Sequence, residues 1–135
     1  MAMNTAEFLK PELIDIEDIT EINGCFLLRA IENRVIISTL PVTISQDILW
    51  EICILRDTFQ QFVQGLSHGE LKEITLEGDK GFVFLHKLDR EFILLALAPR
   101  EVNIGYVRLA MIDIKKRMNE KINNLSDDNI QTIVQ

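Results

Sequence analysis

The side chains best suited to chemistry in this sequence are two histidines and two cysteines, and their spacing argues against a catalytic site. His68 lies in a turn composition next to glycine, and His86 lies in an apolar stretch. Cys25 and Cys53 are distant from both histidines in the sequence and show none of the spacings of zinc ligands. We therefore predict no catalytic residue, no cofactor and no metal, and a protein that is not an enzyme.

Other residues point to a protein that acts by binding. No GxxxxGK[ST] loop occurs, so the chain itself should not bind GTP. Arg56 is expected to be exposed on a long helix, where it could reach a partner as an arginine finger. A rim contact or an ion pair with Asp57 is the simpler role for it. An acidic cluster, which is typical of a solvated face, is formed by Asp15, Glu17, Asp18 and Glu21.

The composition indicates one globular domain that hides apolar surface against a partner. The chain has 135 residues, 47% hydrophobic and 26% charged, and its mean hydropathy of +0.13 is high for a soluble domain. One domain over 1–125 and a tail over 126–135 fit this length. A net charge of −7 argues against nucleic acid, and no apolar run is long enough for membrane insertion. Without a signal peptide and with two cysteines in apolar stretches, we expect a cytoplasmic protein with buried thiols.

The longest amphipathic element is a helix predicted from Gln46 to Gln64, with Ser45 as its N-cap. Its core-facing stripe at helical spacing is Ile48, Ile52, Leu55, Phe59, Phe62, Val63 and Leu66. Four more apolar residues lie outside that stripe: Leu49, Trp50, Cys53 and Ile54. The first two turns are therefore apolar nearly all round. We interpret the second surface as an interface, with cover by another segment of the same chain as the alternative.

The remaining elements follow from alternation, turn residues and helical spacing. Residues 1–22 contain a helix somewhere in 11–22, although their apolar residues form no clean stripe. A last helix is capped by Asn103 and runs to Asn123, after which the tail forms another helical turn or frays. Strands are predicted over 25–31, 35–40, 71–77, 81–88 and 92–98, with a first turn at Glu32-Asn33.

Two of these strands determine the architecture. Strand 71–77 alternates as an edge strand does, with apolar residues on one face and Glu73, Thr75 and Glu77 on the other. Strand 92–98 is apolar on both faces, so it belongs in the middle of a sheet that is covered on both sides. Short hairpin links imply antiparallel pairing. We therefore predict an α/β fold, a three-layer sandwich of about five antiparallel strands with helices on both faces.

Three local stretches, in this order, resemble the Roadblock/dynein light chain family. Residues 22–28 resemble its first strand, which is entered through a small residue, and residues 77–84 resemble its strand–turn–strand. Residues 103–108 resemble the asparagine–leucine–glycine–x–valine–arginine segment that opens its last helix. The resemblance covers roughly 18–122, and the order of elements matches throughout.

The sequence departs from the family near its N-terminus. The family often has an aspartate–glycine turn between its first two strands, where this chain has Glu32-Asn33. The first helix of the family is usually longer and clearly amphipathic, whereas here Pro11 interrupts a segment with a poor stripe. The resemblance therefore says least about residues 1–22.

The resemblance implies a non-catalytic dimer that binds a small Ras-like GTPase or serves as a scaffold for motor and signalling complexes. In such proteins the central helices pair antiparallel and the third strands meet edge to edge, between identical chains or with a paralogue. The dimer interface is then expected at Leu49, Trp50, Cys53, Ile54, Leu71, Glu73 and Thr75. The polar residues that flank this apolar seam are expected to contact the GTPase: Gln46, Asp47, Glu51, Arg56, Asp57 and Gln60.

Two other functions remain open. The first is a profilin-like or longin-like interaction module of the cytoskeleton or of trafficking, because such modules share a similar layered sandwich but usually act as monomers. The second is a small-molecule sensor domain with its ligand between sheet and helix. A sensor needs polar residues inside a cavity, and the apolar faces of this chain look filled.

Overall fold

A computed structural model describes residues 5–41 and 43–126 and contains, within them, three α-helices and five β-strands. The expectation for the C-terminal tail falls almost wholly outside the described residues. A short 3-10 turn at Asp89–Glu91 links the last two strands. In chain order the elements are α1 (Thr5–Thr20), β1 (Gly24–Arg29), β2 (Arg34–Ser38), α2 (Gln46–Gly65), β3 (Glu73–Gly78), β4 (Gly81–Lys87), β5 (Phe92–Pro99) and α3 (Ile104–Asn123).

The five strands form one antiparallel sheet in the order β2-β1-β5-β4-β3. β5 is the central strand: Leu95 pairs with Phe26 of β1 on one side and with Leu85 of β4 on the other. β3 is an edge strand. Both placements confirm the predictions made from the composition of each strand.

Two helices cover one face of the sheet and a single helix covers the other, which confirms the three-layer sandwich. α1 and α3 pack against a core that includes Phe84, Phe92 and Leu94. α2 packs on the opposite face, where its buried side chains meet Phe26, Leu28, Leu85, Ile93 and Leu95. Alternate residues of β5 thus enter different layers, as a strand with two apolar faces requires.

The first helix is longer than the sequence indicated. α1 begins at Thr5 and contains Pro11 in its interior, where the proline removes a single backbone donor. Leu9, Leu13 and Ile16 are fully buried, so a regular apolar stripe does exist. The prediction missed it because a helix started at Pro11 excludes the first of these residues. Burial of these three residues against the sheet and α3 offsets the free-energy cost of a proline inside the helix.

The helix caps and the first turn agree with those predicted from the sequence. The Ser45 side chain accepts a hydrogen bond from the backbone N–H of Ile48, and that of Asn103 accepts one from Tyr106. Asn33 adopts a left-handed conformation with φ 49° and closes the first hairpin through its N–H to the carbonyl of Ala30. β1 ends at Arg29 because this turn already begins at Ala30.

The turn between β4 and β5 connects both helical layers. Its residues Arg90 and Glu91 have positive φ values of 57° and 66°. Arg90 Nη1 donates to the carbonyl of Ile122, in the last turn of α3, at 2.9 Å and to that of Leu125, just after the helix, at 2.7 Å. The Glu91 carboxylate accepts from Arg56 Nη1 of α2 at 2.9 Å.

Replacing Arg90 should loosen the C-terminal end of α3. We expect Arg90→Ala to lower the free energy of unfolding by about 1–2 kcal/mol, because two charge-assisted hydrogen bonds to carbonyls are lost. Urea unfolding followed by circular dichroism measures this change. Lys80→Ala, in the exposed turn between β3 and β4, is the control and should change stability by less than about 0.5 kcal/mol. Equal stability of the two variants would show that Arg90 does not anchor this helix end.

Candidate interaction surface

The side of α2 that faces the sheet differs from the expected one. Leu49 and Cys53 are only 4% and 8% exposed, and they pack in the core together with Ile52. The prediction that Leu49 and Cys53 lie on the outer surface is therefore wrong. Trp50 and Ile54 are exposed, at 56% and 61%, as predicted.

Most residues of the predicted core stripe of α2 lie on one side of the helix that the sheet does not cover. Ile48, Phe62 and Leu66 are exposed, and Ile52, at 8% exposure, is the one residue of the stripe that is buried. A helix that is apolar nearly all round contains two or more overlapping stripes, so its sequence does not reveal which one meets the sheet. The structure selects the stripe centred on Leu49, Ile52 and Cys53 and leaves the neighbouring one open.

That open flank of α2 and the strands beside it enclose an apolar cleft of about 360 Å³. We call it the α2 cleft. Ile48 and Leu55 line it from the helix, and Ile74, Leu76 and Val83 line it from β3 and β4. Sequence analysis missed the cleft as a site, although the alternation of β3 had already placed Ile74 and Leu76 on one face.

The cleft ends at the open edge of β3, whose exposed backbone groups can be assigned. The N–H of Lys87 donates to the carbonyl of Lys72 at 3.1 Å, so this pair is hydrogen-bonded. Hydrogen-bonded and non-hydrogen-bonded pairs alternate along an antiparallel ladder. In the observed register, the residues whose backbone groups point away from β4 are therefore Glu73, Thr75 and Glu77.

Leu71 is not part of this edge. β3 begins at Glu73, and Leu71 is a buried residue of the preceding loop. Its N–H donates to Oε1 of Gln60 at 2.8 Å. The prediction that the edge strand begins at Leu71 is wrong, because this residue lies in a loop that turns inward to join the end of α2.

Ion pairs hold the acidic side chains of the edge strand. Glu73 accepts hydrogen bonds from Arg108 of α3, and these bonds are the main reason that the pKa of Glu73 is lowered. Glu77 pairs with Arg100 at 3.2 Å. Two carboxylates that would repel another strand are thus partly neutralised within the chain.

The expected partner-binding residues differ in their exposure and in whether their side chains bond to other parts of the chain. Asp47, Glu51 and Asp57 are exposed. Gln46, also exposed, donates from Nε2 to the carbonyl of Asn33, and Gln60 holds the loop before β3.

Arg56 is placed differently from its prediction. The Arg56 side chain is only 14% exposed, and it is bonded to Asp57 and Glu91. The prediction of an exposed arginine is wrong, whereas the alternative of an ion pair with Asp57 is confirmed. The arginine lies beside the core stripe, where it can reach the turn before β5.

The histidines and cysteines form no reactive group. Cys25 and Cys53 are free and buried, and burial raises the pKa of the Cys25 thiol to about 11. His68 is exposed in a loop, whereas His86 is 1% exposed beneath α3. Among residues 5–41 and 43–126, no group of three or more His, Cys, Asp or Glu side chains is placed to hold a metal.

None of the helices described is long and apolar enough to cross a membrane. Comparison of the sequence with protein-family models finds no match, and comparison with curated proteins finds none either. Solved structures do match.

Myxococcus xanthus MglB is 12% identical with a TM-score of 0.79, over 87% of this chain and 97% of that chain. A Roadblock/LC7 domain from Streptomyces avermitilis is 13% identical with a TM-score of 0.63, over 84% and 96%. Schizosaccharomyces pombe profilin is 9% identical, also with a TM-score of 0.63, over 85% and 96%.

These matches define the class of fold. The chain has the α/β architecture shared by Roadblock and profilin structures, as predicted. The resemblance to the Roadblock type is confirmed at the level of the fold. At these identities the likeness establishes the architecture alone, because one fold can carry many functions.

Buried His86 should make stability depend on pH. Burial lowers its pKa from 6.5 to about 4, against the opposing attraction of Glu73. Because the folded pKa lies below the unfolded one, the unfolded chain binds more protons between these values, and stability is lost as pH falls from 6.5 towards 4. We expect this residue to lower the free energy of unfolding by about 2 kcal/mol between pH 7 and pH 5.

Urea unfolding of wild type and His86→Leu at both pH values measures this effect. The free energy of unfolding of His86→Leu should fall much less than that of wild type between the two pH values. That of His68→Gln, which changes an exposed histidine, should fall as in wild type. A His86→Leu variant with the full decrease would assign the pH dependence to other groups.

Proposed function

We propose that the chain is a non-catalytic regulator that dimerises through the α2 cleft and the β3 edge and binds a small Ras-like GTPase. The observation that carries this proposal is the continuity of an apolar cleft with an unpaired strand edge. A domain that acted alone would gain nothing from leaving both uncovered. The Roadblock-type fold supports the reading.

A second copy fits the β3 edge well. If a two-fold axis passes beside Thr75, each Thr75 exchanges two backbone hydrogen bonds with its counterpart in the copy. Ile74 then lies next to Leu76 of the copy on the α2 face, which extends the apolar surface across both chains. Glu73 lies opposite Glu77 of the copy, and both already carry arginine partners.

The open flank of α2 supplies the apolar part of the interface. Ile48, Phe62 and Leu66 are exposed and Leu55 is half-buried. Full burial of such a side chain contributes roughly 1.5–3 kcal/mol, and a two-fold axis counts every contact twice. Leu49 and Cys53 support this flank from the core.

The outward face of α2 offers a separate surface for the GTPase. Trp50 and Ile54 are its exposed apolar centre, and Asp47, Glu51 and Asp57 surround them. An aromatic anchor within a polar rim is the common form of an energetic hot spot. We therefore assign Trp50 and Ile54 to the GTPase contact instead of the dimer interface.

Proline at Thr75 tests the edge pairing. Thr75→Pro removes an N–H that points away from β4, so the ladder inside the chain stays intact. We expect light scattering to give about twice 15.5 kDa for wild type, and the variant to dissociate at least about tenfold more readily. Thr75→Val keeps the N–H and should remain dimeric.

Dimer dissociation unchanged by Thr75→Pro would remove strand pairing from the account. A wild-type mass of 15.5 kDa at micromolar concentration would remove the dimer altogether and favour a profilin-like monomer. Leu76→Pro provides a further comparison, because it breaks a β4 bond and should lower the stability of the fold itself.

Binding to small Ras-like GTPases of the same genome, loaded with GDP or a GTP analogue, tests the functional half. We expect at least one to bind more tightly than about 100 micromolar. Trp50→Ala should weaken binding by about tenfold or more without changing the dimer mass. Leu109→Ala, which changes an exposed apolar residue of α3, is the control. If none of the GTPases binds, the GTPase half of the proposal is wrong and a dimeric scaffold remains.

A further inference from the structure

A second groove, of about 470 Å³, lies on the sheet face opposite α2. It runs between α3 and the neighbouring ends of β3 and β4. Lys72, Lys115 and Lys116 line it, together with Ile112 and the buried His86. We call it the α3 groove. It shares no lining residue with the α2 cleft.

The lysines of the α3 groove lack ion-pair partners. In the part of the chain that the structure describes, no carboxylate oxygen lies within 4.0 Å of the ammonium group of Lys72, Lys115 or Lys116. Other cations of the same layer are paired: Lys121 with Glu12 at 2.7 Å, and Arg117 with Asp15 at 3.1 Å. Lys10 of α1 and Lys80 of the turn between β3 and β4 have no such partner either, but among the described residues only in the groove do three unpaired lysines lie together on this chain of net charge −7.

Two carboxylates, those of Glu73 and Glu120, line the groove, and neither lies within 4.0 Å of its lysine ammonium groups. Glu73 lies at the groove wall, but Arg108 donates to it and Nε2 of His86 lies 3.4 Å away. Lys115 is half-buried, and burial together with the charge of Lys72 lowers its pKa. Crowded, partly desolvated lysines are unfavourable in the free protein, and an incoming negative charge would relieve their repulsion.

Apolar side chains lie beside these charges. Ile112 lines the groove and is 45% exposed, and Leu109, one turn earlier on α3, is 70% exposed. No Phe, Tyr or Trp is among the lining residues and the imidazole of His86 is only 1% exposed, so the groove offers no open ring on which a base could stack. The net charge of the chain also opposes a polyphosphate at longer range.

We infer that the α3 groove binds an acidic segment of a partner protein, with its carboxylates at Lys72, Lys115 and Lys116 and an apolar side chain against Ile112. Charge complementarity selects an acidic ligand, and the exposed isoleucine selects a peptide over a nucleic acid. This contact goes beyond the proposed GTPase function and uses the opposite face of the sheet. In the dimer proposed above, the two grooves flank the paired β3 strands, so one segment can contact both.

The test uses a fluorescein-labelled eight-residue peptide of alternating glutamate and leucine as the probe. Fluorescence anisotropy at about 50 mM salt, where exposed charges are weakly screened, measures its affinity for the full chain. We expect Lys115→Glu with Lys116→Glu to weaken binding by about tenfold or more. Lys10→Glu with Lys80→Glu makes the same change in net charge elsewhere on the surface and should weaken it by less than about twofold.

Several results would overturn the inference. Equal weakening in the two double variants would mean that the probe senses only net charge. Tighter binding of an oligothymidine of the same length would assign the groove to nucleic acid, and no binding of the peptide by wild type would leave it without an acidic ligand. Light scattering on the same samples measures the dimer independently of peptide binding, because neither lysine pair lies in the proposed interface.

Discussion

The central strand β5 is apolar on both faces, and the need to cover both of them shapes the rest of the molecule. Leu94 and Ala96 enter the layer of α1 and α3, while Ile93 and Leu95 enter the layer of α2. Leaving either side in water would forfeit roughly 1.5–3 kcal/mol for each large side chain. Helices on both sides are therefore a physical requirement of this sequence.

The two layers meet this requirement unequally. Two helices span the first face, and Glu12 and Asp15 of α1 form ion pairs with α3 across it. A single helix lies on the second face and covers β3 only in part, so Ile74 stays half-buried and Leu76 exposed beside the open flank of α2. The same unequal cover produces an apolar cleft and a free strand edge at one place, which is the geometry that a second copy can complete.

Much of the fold was predictable because it depends on local signals. Strand alternation identified β3 as an edge, the two apolar faces of β5 placed it centrally, and Ser45 and Asn103 marked the starts of α2 and α3. These features depend on neighbours in the sequence, so no knowledge of packing was needed.

The candidate site was predicted less well because it depends on which side of a helix meets the sheet. The helical spacing predicts Leu49 and Cys53 on the outer side and Phe62 on the inner side, opposite to their burial, since a helix that is apolar all round has no preferred side. The sequence predicts an exposed Arg56 because its partner Glu91 is distant in the sequence. Such errors arise wherever tertiary contacts select between local alternatives that are equally good.

Amide hydrogen exchange at the β3 edge tests the central claim most directly, because each residue reports its own hydrogen bond. The account predicts that the Thr75 N–H, which points away from β4, is protected in concentrated protein and exchanges faster as dilution releases the copy. Ile74 and Leu76, bonded to β4, should stay protected at every concentration. Fast exchange of Thr75 at all concentrations, with its two neighbours protected, would show that the edge is free and would contradict the dimer proposed here.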